Sequence, residues 1–284
     1  MAGPCSTLHP GRQIPEPGLV SLDPSHGAPV PRPPHLHRFV LAGALLLAPL
    51  AARAEDQPLT YRLLSDDRPV GSREASLTYL PGPNGEIRML KAWTTLVLPL
   101  AREAMQVKQR LGARLGGDRS FSVSLSTNGA VREIQGRQEL DGSWTLSLAD
   151  ADGAKTWNLA SDAVDLSSPE LMDPERALAT LRACDHLRLL SAETGGILEG
   201  PVEALPPTTL PVADRTVQVE RFRFTPPEGT MTLAYAPDGW LVAYDYQLLG
   251  KLVGARLERL PPPRSFDTAL DAPLTGGQVS EDSL

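Results

Sequence analysis

Cysteine is nearly missing from this chain: Cys5 and Cys184 are the only two. Cys5 precedes an apparent export signal, so the segment behind that signal keeps one thiol. One thiol forms no internal disulfide, and the core must hold by packing. Histidine is almost as scarce. Four of the five, His9, His26, His35 and His37, also lie ahead of residue 54, leaving His186 alone. That excludes a multi-histidine zinc site or a multi-cysteine cluster, so no metal and no cofactor are expected. An excess of basic charge is lacking too, with 27 Lys and Arg against 34 Asp and Glu and a formal net charge of −7. Nucleic-acid binding needs a basic footprint, and docking on anionic lipid heads needs a polybasic patch. Neither is present. Phosphate loops and G-x-S-x-G elbows are missing as well: Gly195-Gly196 and Gly276-Gly277 lack the helix and Lys that phosphate cradling requires.

No apolar run reaches the roughly 20 residues of a membrane-spanning helix. The longest, Phe39 to Leu50, follows Arg38 and precedes Ala52-Arg53-Ala54. A positive n-region, a short apolar h-region and an A-x-A-like site together read as a secretory signal peptide. Cleavage is expected after Ala54, giving a periplasmic or secreted protein with no transmembrane anchor. The Pro- and Gly-rich residues ahead of the signal have no periodicity and cannot build a core. They are either a disordered extension or residues upstream of the true translation start. The expected organisation is thus 1–54 as extension plus signal, 55–260 as one domain, and 261–284 as a polar, aperiodic, disordered tail.

What the domain does contain is alternation. Short period-two runs separated by turn residues mark antiparallel strands joined as hairpins. "LTYRLLSDD" and "SREASLTYL" flank a turn expected near Arg68 to Gly71, and "PGPNGE" separates the second run from "IRMLKAWTTLVL". Asn128-Gly129, Asp141-Gly142 and Asp152-Gly153 divide the next four runs, as type I′ hairpin turns would. "AREAMQVKQRL" fits either strand or helix, and is read as strand because strands surround it. One helix is expected over 174–184, with Asp173 as N-cap and Pro174 at the first helical position. The fold class is therefore mainly β: a dozen or so antiparallel strands in a strongly curved sheet, a half-barrel or open barrel, plus one helix.

Candidate chemistry is thin. Cys184-Asp185-His186 sets a thiol near an imidazole, but at a helix-to-strand junction where a shared face is not assured. Asp150 to Gly153 has the look of a calcium loop but lacks its later ligands, Ser161 standing where a bidentate Glu belongs. Glu193, Glu199 and Glu203 are not brought together by any pattern, as a carboxylate pair for glycoside hydrolysis would be. No catalytic residue is assigned.

The candidate site is a hairpin. "GTMTLAYA" and "WLVAYDYQ" pair across Pro237-Asp238-Gly239. A two-residue loop sets Tyr235 opposite Val242, Leu233 opposite Tyr244 and Met231 opposite Tyr246. A type I turn at Pro237 with Gly239 in a bulge shifts the pairing by one. In both registers Trp240, Val242, Tyr244 and Tyr246 are expected on one face. With Leu233 and Tyr235 they are candidates to line an apolar cavity. The other reading makes this face a filled core, like the rows Trp144-Leu146-Leu148 and Trp157-Leu159. The tyrosine hydroxyls, which need partners if buried, favour a cavity or its rim.

"TYRLLSDDRPVGSREASLTY" and the closing "VQVERFRF" through "APDGWLVAYDYQLLGKLVGARL" resemble uncharacterised exported domains of Gram-negative bacteria. Those domains are similar, at a distance, to the half-barrels of lipoprotein carriers such as LolA. The resemblance implies a periplasmic β-protein without established catalytic residues. The expected function is non-enzymatic binding of a lipid, a lipoprotein acyl chain or another amphiphile in support of the cell envelope. Two alternatives are a protein-interaction or scaffold module with a filled core serving an envelope partner, and a hydrolase with an unrecognised carboxylate site.

Overall fold

Tight turns build most of the molecule. Asp66 and Asp67 hold positive φ of 49° and 60°, and Asn128 and Gly129 hold 49° and 88°, the left-handed pair that a type I′ turn needs. The computed structural model describes residues 55–82, 85–100, 103–248 and 251–262. The segment 1–54 and nearly all of the tail assigned to 261–284 lie outside the described residues. The first turn falls at Asp66-Asp67, earlier than expected, and Arg68 already pairs with Ser65. Short polar side chains tolerate the left-handed region well enough for Asp to stand where Gly usually does.

Each turn lays the chain back beside itself. The first half is an unbroken meander: β1 (Glu55–Ser65), β2 (Arg68–Gly82), β3 (Gly85–Pro99), β4 (Ala104–Leu115), β5 (Ser120–Thr127), β6 (Ala130–Gln138), β7 (Trp144–Asp150) and β8 (Gly153–Leu159). A two-residue strand β9 (Leu166–Ser167), a 3-10 turn (Ser168–Met172) and α1 (Ala177–Ala183) interrupt it. The meander resumes through β10 (His186–Leu190), β11 (Ile197–Val212), β12 (Arg215–Phe224), β13 (Met231–Tyr235), β14 (Leu241–Leu248) and β15 (Lys251–Leu257). The ambiguous run near Met105 is strand, as read from its neighbours.

The 15 strands of the described residues form one sheet, ordered β8 to β1, then β15 down to β9. Every described pairing is antiparallel except β9 with β10. The first and last strands therefore meet in the middle, Leu63 opposite Ala255, while the two edges are neighbours in sequence. Among the described residues no ladder joins the edges. Across the opening the Trp157 ring of β8 lies 2.7 Å from where a Cβ on Gly195 would sit, in the turn between β10 and β11. Gly195 has φ +71°, so backbone and crowding both require glycine there.

Alternation sends one face of each strand into the curl. Leu59, Tyr61 and Leu63 of β1, Leu77 of β2, Leu90 and Leu96 of β3 and Ile134 of β6 are each 0–1% exposed. At about 1.5–3 kcal/mol per large apolar side chain, such rows drive the curvature. Trp144, 1% exposed, joins them, its ring 5.9 Å from Phe121.

Two elements depart from expectation. β11 runs through Pro201, Pro206, Pro207 and Pro211, a stretch that does not read as strand. Only Ile197–Pro201 faces β10, whereas Val202–Val212 pairs with β12 alone. Pro206, Pro207 and Pro211 stand on that one-sided stretch, where a missing N–H costs no ladder bond. The Pro206-Pro207 pair is bypassed at a register shift between Leu205 and Thr208. The helix starts at Ala177, not Pro174, because Asp173 closes the preceding 3-10 turn and its Oδ1 accepts the Glu175 N–H at 3.1 Å.

That 3-10 turn and α1 stopper part of the lumen. Tyr235 Oη donates to the Leu171 carbonyl at 3.0 Å. Glu170, with a fully buried side chain, accepts from Ser167 N and Oγ, both at 2.8 Å, and from Arg119 Nη1 at 3.2 Å. Arg176 Nε adds charge at 2.9 Å, although too poorly aligned to count as a hydrogen bond. The Arg119 guanidinium also lies 5.3 Å from the Trp144 ring centroid, a cation–π contact. Arg88 reaches Asp173 at 3.2 Å and also pairs with Glu175.

Candidate functional site

The hairpin between β13 and β14 obeys both expected registers, each over part of its length. Ala236 N–H donates to Trp240 O and Gly239 N–H to Ala236 O, both at 2.9 Å, with Gly239 at φ +87°. That is the type I turn with a glycine bulge that Pro237 favours. Next, β14 inserts an extra residue at Val242: Tyr235 pairs with Leu241, but Ala234 pairs with Ala243. The insertion restores Leu233 opposite Tyr244.

This second bulge corrects the aromatic row. Leu233 and Tyr235 share a face, so their partners Tyr244 and Leu241 share it too. Trp240 and Val242 are displaced from that face. They stay buried, at 6% and 2% exposure, but do not line the space inside the curl. Tyr235, 0% exposed, is taken up by the stopper.

Leu233, Tyr244 and Tyr246 do line that space, a cavity of about 520 Å³. Its other walls come from both halves of the sheet, among them Leu96, Met105, Val107 and Leu125 on one side and Leu198 and Met231 on the other. Leu171 and Met172 of the stopper form part of its boundary. The volume lies within the roughly 300–1,000 Å³ of small-molecule sites. Arg132, Thr194, Glu228 and Gln247, all exposed, stand on its rim.

A polar row crosses the otherwise apolar wall. Tyr61, Arg73, Thr94 and Gln109 lie directly opposite one another on β1 to β4. Thr94 Oγ1 donates to Gln109 Oε1 at 3.2 Å, and Gln109 Nε2 donates to Glu193 Oε1 at 3.0 Å. Glu193 Oε2 accepts from Ser168 Oγ at 3.0 Å and Ser191 Oγ at 3.3 Å. Tyr61 Oη donates to the Leu241 carbonyl at 2.8 Å. The tyrosines form a row, Tyr244 stacked on Tyr246 with centroids 5.9 Å apart and tilted against Tyr61 at 6.0 Å.

Arg73 is the unusual member. Its Nη2 lies 3.4 Å from the Met172 Sδ, and its Nε is buried without a hydrogen-bond partner. Its remaining accessibility faces the cavity it lines. Among the described residues no carboxylate lies within 4.0 Å of it. Burial works against its charge, yet Tyr244, Glu193 and Tyr61 outweigh that and hold its pKa above the ordinary value. Desolvation dominates for the neighbouring phenols, raising Tyr61, Tyr235 and Tyr246 far above the usual tyrosine range. The cavity therefore presents the Arg73 cation among tyrosine hydroxyls, with the Glu193 carboxyl also on its lining.

Other candidates are dispersed. His186 Nε2 lies 3.1 Å from Glu199, with both side chains half exposed, and Glu203 pairs with Arg223 at 2.9 Å. Glu193 alone of the three acidic residues reaches the cavity. Cys184 caps the C-terminus of α1 and forms no disulfide. Among the described residues no cluster of His, Cys, Asp or Glu could hold a metal ion, and no helix is long and apolar enough to cross a membrane. Arg73, Thr94 and Gln109 were discoverable by parity: each sits an even number of residues from an inward Leu or Ala on its strand.

A curled, unclosed antiparallel sheet with a hollow interior defines a β-barrel-like architecture. A crystal structure of a β-barrel-like protein of the domain of unknown function DUF1849, from Brucella abortus, is similar to it, with a TM-score of 0.53. The likeness covers 72% of this chain and 96% of that one, at 13% sequence identity, and concerns the fold. No family model matches the chain, and no curated protein matches it in sequence.

Proposed function

We propose that this protein is exported and binds a lipid, lipoprotein acyl chain or similar amphiphile inside its curled sheet, without catalysing a reaction. The observation that carries the reading is the cavity of about 520 Å³ with mainly aliphatic and aromatic walls, Leu233, Tyr244 and Tyr246 among them. The signal-like segment ending at Ala54 supports a periplasmic site of action, and the distant similarity of the exported domains it resembles to lipoprotein carriers such as LolA supports the class of ligand. The scaffold alternative draws less support. Among the described residues the exposed large apolar groups are few: among them Trp93 and Val97 share β3, while Val131 and Leu252 stand on β6 and β15, and small exposed apolar groups are normal on any surface.

The test is native mass spectrometry of protein recovered from the periplasm, joined to titration with a fluorescent fatty acid. A co-purifying amphiphile or saturable uptake is expected. Recovery of bare protein that takes up no probe overturns the carrier reading.

A further inference from the structure

We infer that the cavity selects amphiphiles with an anionic head, seated on the Arg73 guanidinium, and a single aliphatic chain along the apolar wall. This rests on the amphiphile reading above and specifies what it leaves open: the chemistry of the head.

The argument is one of unmet demand. A guanidinium carries five N–H donors in a planar fork. Here the fork has a thioether at 3.4 Å and an Nε with no partner, with the Tyr244 phenol as its other side-chain contact. Charged side chains taken out of water are ordinarily paired or given full hydrogen bonding, and the stopper of this molecule follows that rule at Arg88, Arg119 and Arg176. Glu193 is no substitute partner. Its oxygens are committed to Gln109, Ser168 and Ser191, and it acts on Arg73 only through space.

The missing partner must be an anion that arrives with apolar bulk. Leu96, Val107, Leu125 and Met231 supply the wall for an aliphatic chain. Carboxylate and phosphate-ester heads share paired oxygens that match a guanidinium fork. A neutral alcohol cannot satisfy the charge. A cationic head meets repulsion.

The experiment displaces a neutral apolar dye, N-phenyl-1-naphthylamine, from the purified protein with four ligands of equal chain length: hexadecanoate, hexadecyl phosphate, hexadecanol and hexadecyltrimethylammonium. The two anions are expected to displace the dye at concentrations about 10- to 100-fold below hexadecanol, the scale of a hydrogen bond to a charged group. The tighter anion identifies the head as carboxylate or phosphate. Arg73→Met is expected to abolish the preference while dye binding persists. Arg73→Lys should retain part of it, having charge without the fork. Glu193→Gln should tighten hexadecanoate by removing a nearby like charge.

Dye binding with equal displacement by hexadecanoate and hexadecanol overturns the head assignment and leaves the cavity reading intact. Failure of wild type to bind dye or any of the four ligands removes the amphiphile reading itself. Loss of hexadecanoate binding in Glu193→Gln would mean that Glu193 positions the site, and would overturn Arg73 as the unpaired anchor.

Discussion

Glu170 and Arg73 are both charged side chains inside the same curled sheet, in opposite circumstances. Glu170, in the stoppered part of the lumen, has Arg119, Arg176 and two donors from Ser167 around its carboxylate. Arg73, in the hollow part, has a thioether and a phenol. Burial alone therefore does not explain where charge is satisfied in this protein. Where the segment Ser167–Arg176 fills the curl, the chain supplies its own counter-ions. Where the curl is left open, it supplies donors and hydroxyls but no carboxylate within 4.0 Å of Arg73, Glu193 acting only through space. On the proposed reading, the difference separates a part of the lumen built for stability from one built to receive a ligand.

Removing one charge from each part should break or sharpen that contrast. Glu170→Ala strands two guanidiniums in the stopper and is expected to cost about 3–5 kcal/mol, read as a fall in the urea midpoint. A loss below 1 kcal/mol would mean that the stopper is not held by its ion network. Next in size, Gly195→Ala should cost about 1–3 kcal/mol. Its new methyl meets the Trp157 ring at a backbone φ of +71°, and a change in tryptophan fluorescence should report loosening where β8 meets the β10–β11 turn. Arg73→Met, by contrast, is expected to stay within about 1 kcal/mol of wild type or to gain stability, because an unpaired buried charge gives way to an apolar side chain. Large destabilisation in that variant would show Arg73 to be structural.

The smallest effect concerns Asp165, at the entry to the stopper. Burial raises its pKa, but Arg188, 2.8 Å away, outweighs that and holds it below the ordinary carboxylate value. With a folded-state value below the unfolded one, the pair's stabilisation is present above about pH 4 and is lost as pH falls through the folded value. Both side chains are partly exposed, so the loss should be about 1 kcal/mol or less. Urea midpoints at pH 7 and pH 3 should converge slightly in Asp165→Asn. An unchanged pH slope would leave the pair without energetic weight.

Much of this architecture can be read from local signals. Asn128-Gly129 and the alternating rows around it predict a hairpin because turn chemistry and side-chain parity both act within a few residues. What escapes such reading depends on distant neighbours. Pro206 and Pro207 look like strand breakers until one knows that this stretch of β11 has a partner on one side only. The extra residue at Val242 moves Trp240 out of the aromatic row, and nothing in "GWLVAYDY" marks it. Asp173 is a plausible N-cap by composition, yet the preceding 3-10 turn, packed under Tyr235, claims it first. Arg73 was legible by parity with Ala75 and Leu77, but charge on an inward position makes sense only once a cavity is seen opposite it.

The sheet order has a temporal consequence. Arg62 of β1 and Glu258 beside β15, 196 positions apart, are bonded across the seam where the two halves meet. As the chain emerges in order, its first strand must wait for its last before that seam can form. Such separated contacts delay folding, and a waiting β1 edge exposes unpaired backbone to other chains. Assembly of this protein should therefore be slow, finished only after release of the whole chain, and sensitive to helpers that shield an unpaired strand.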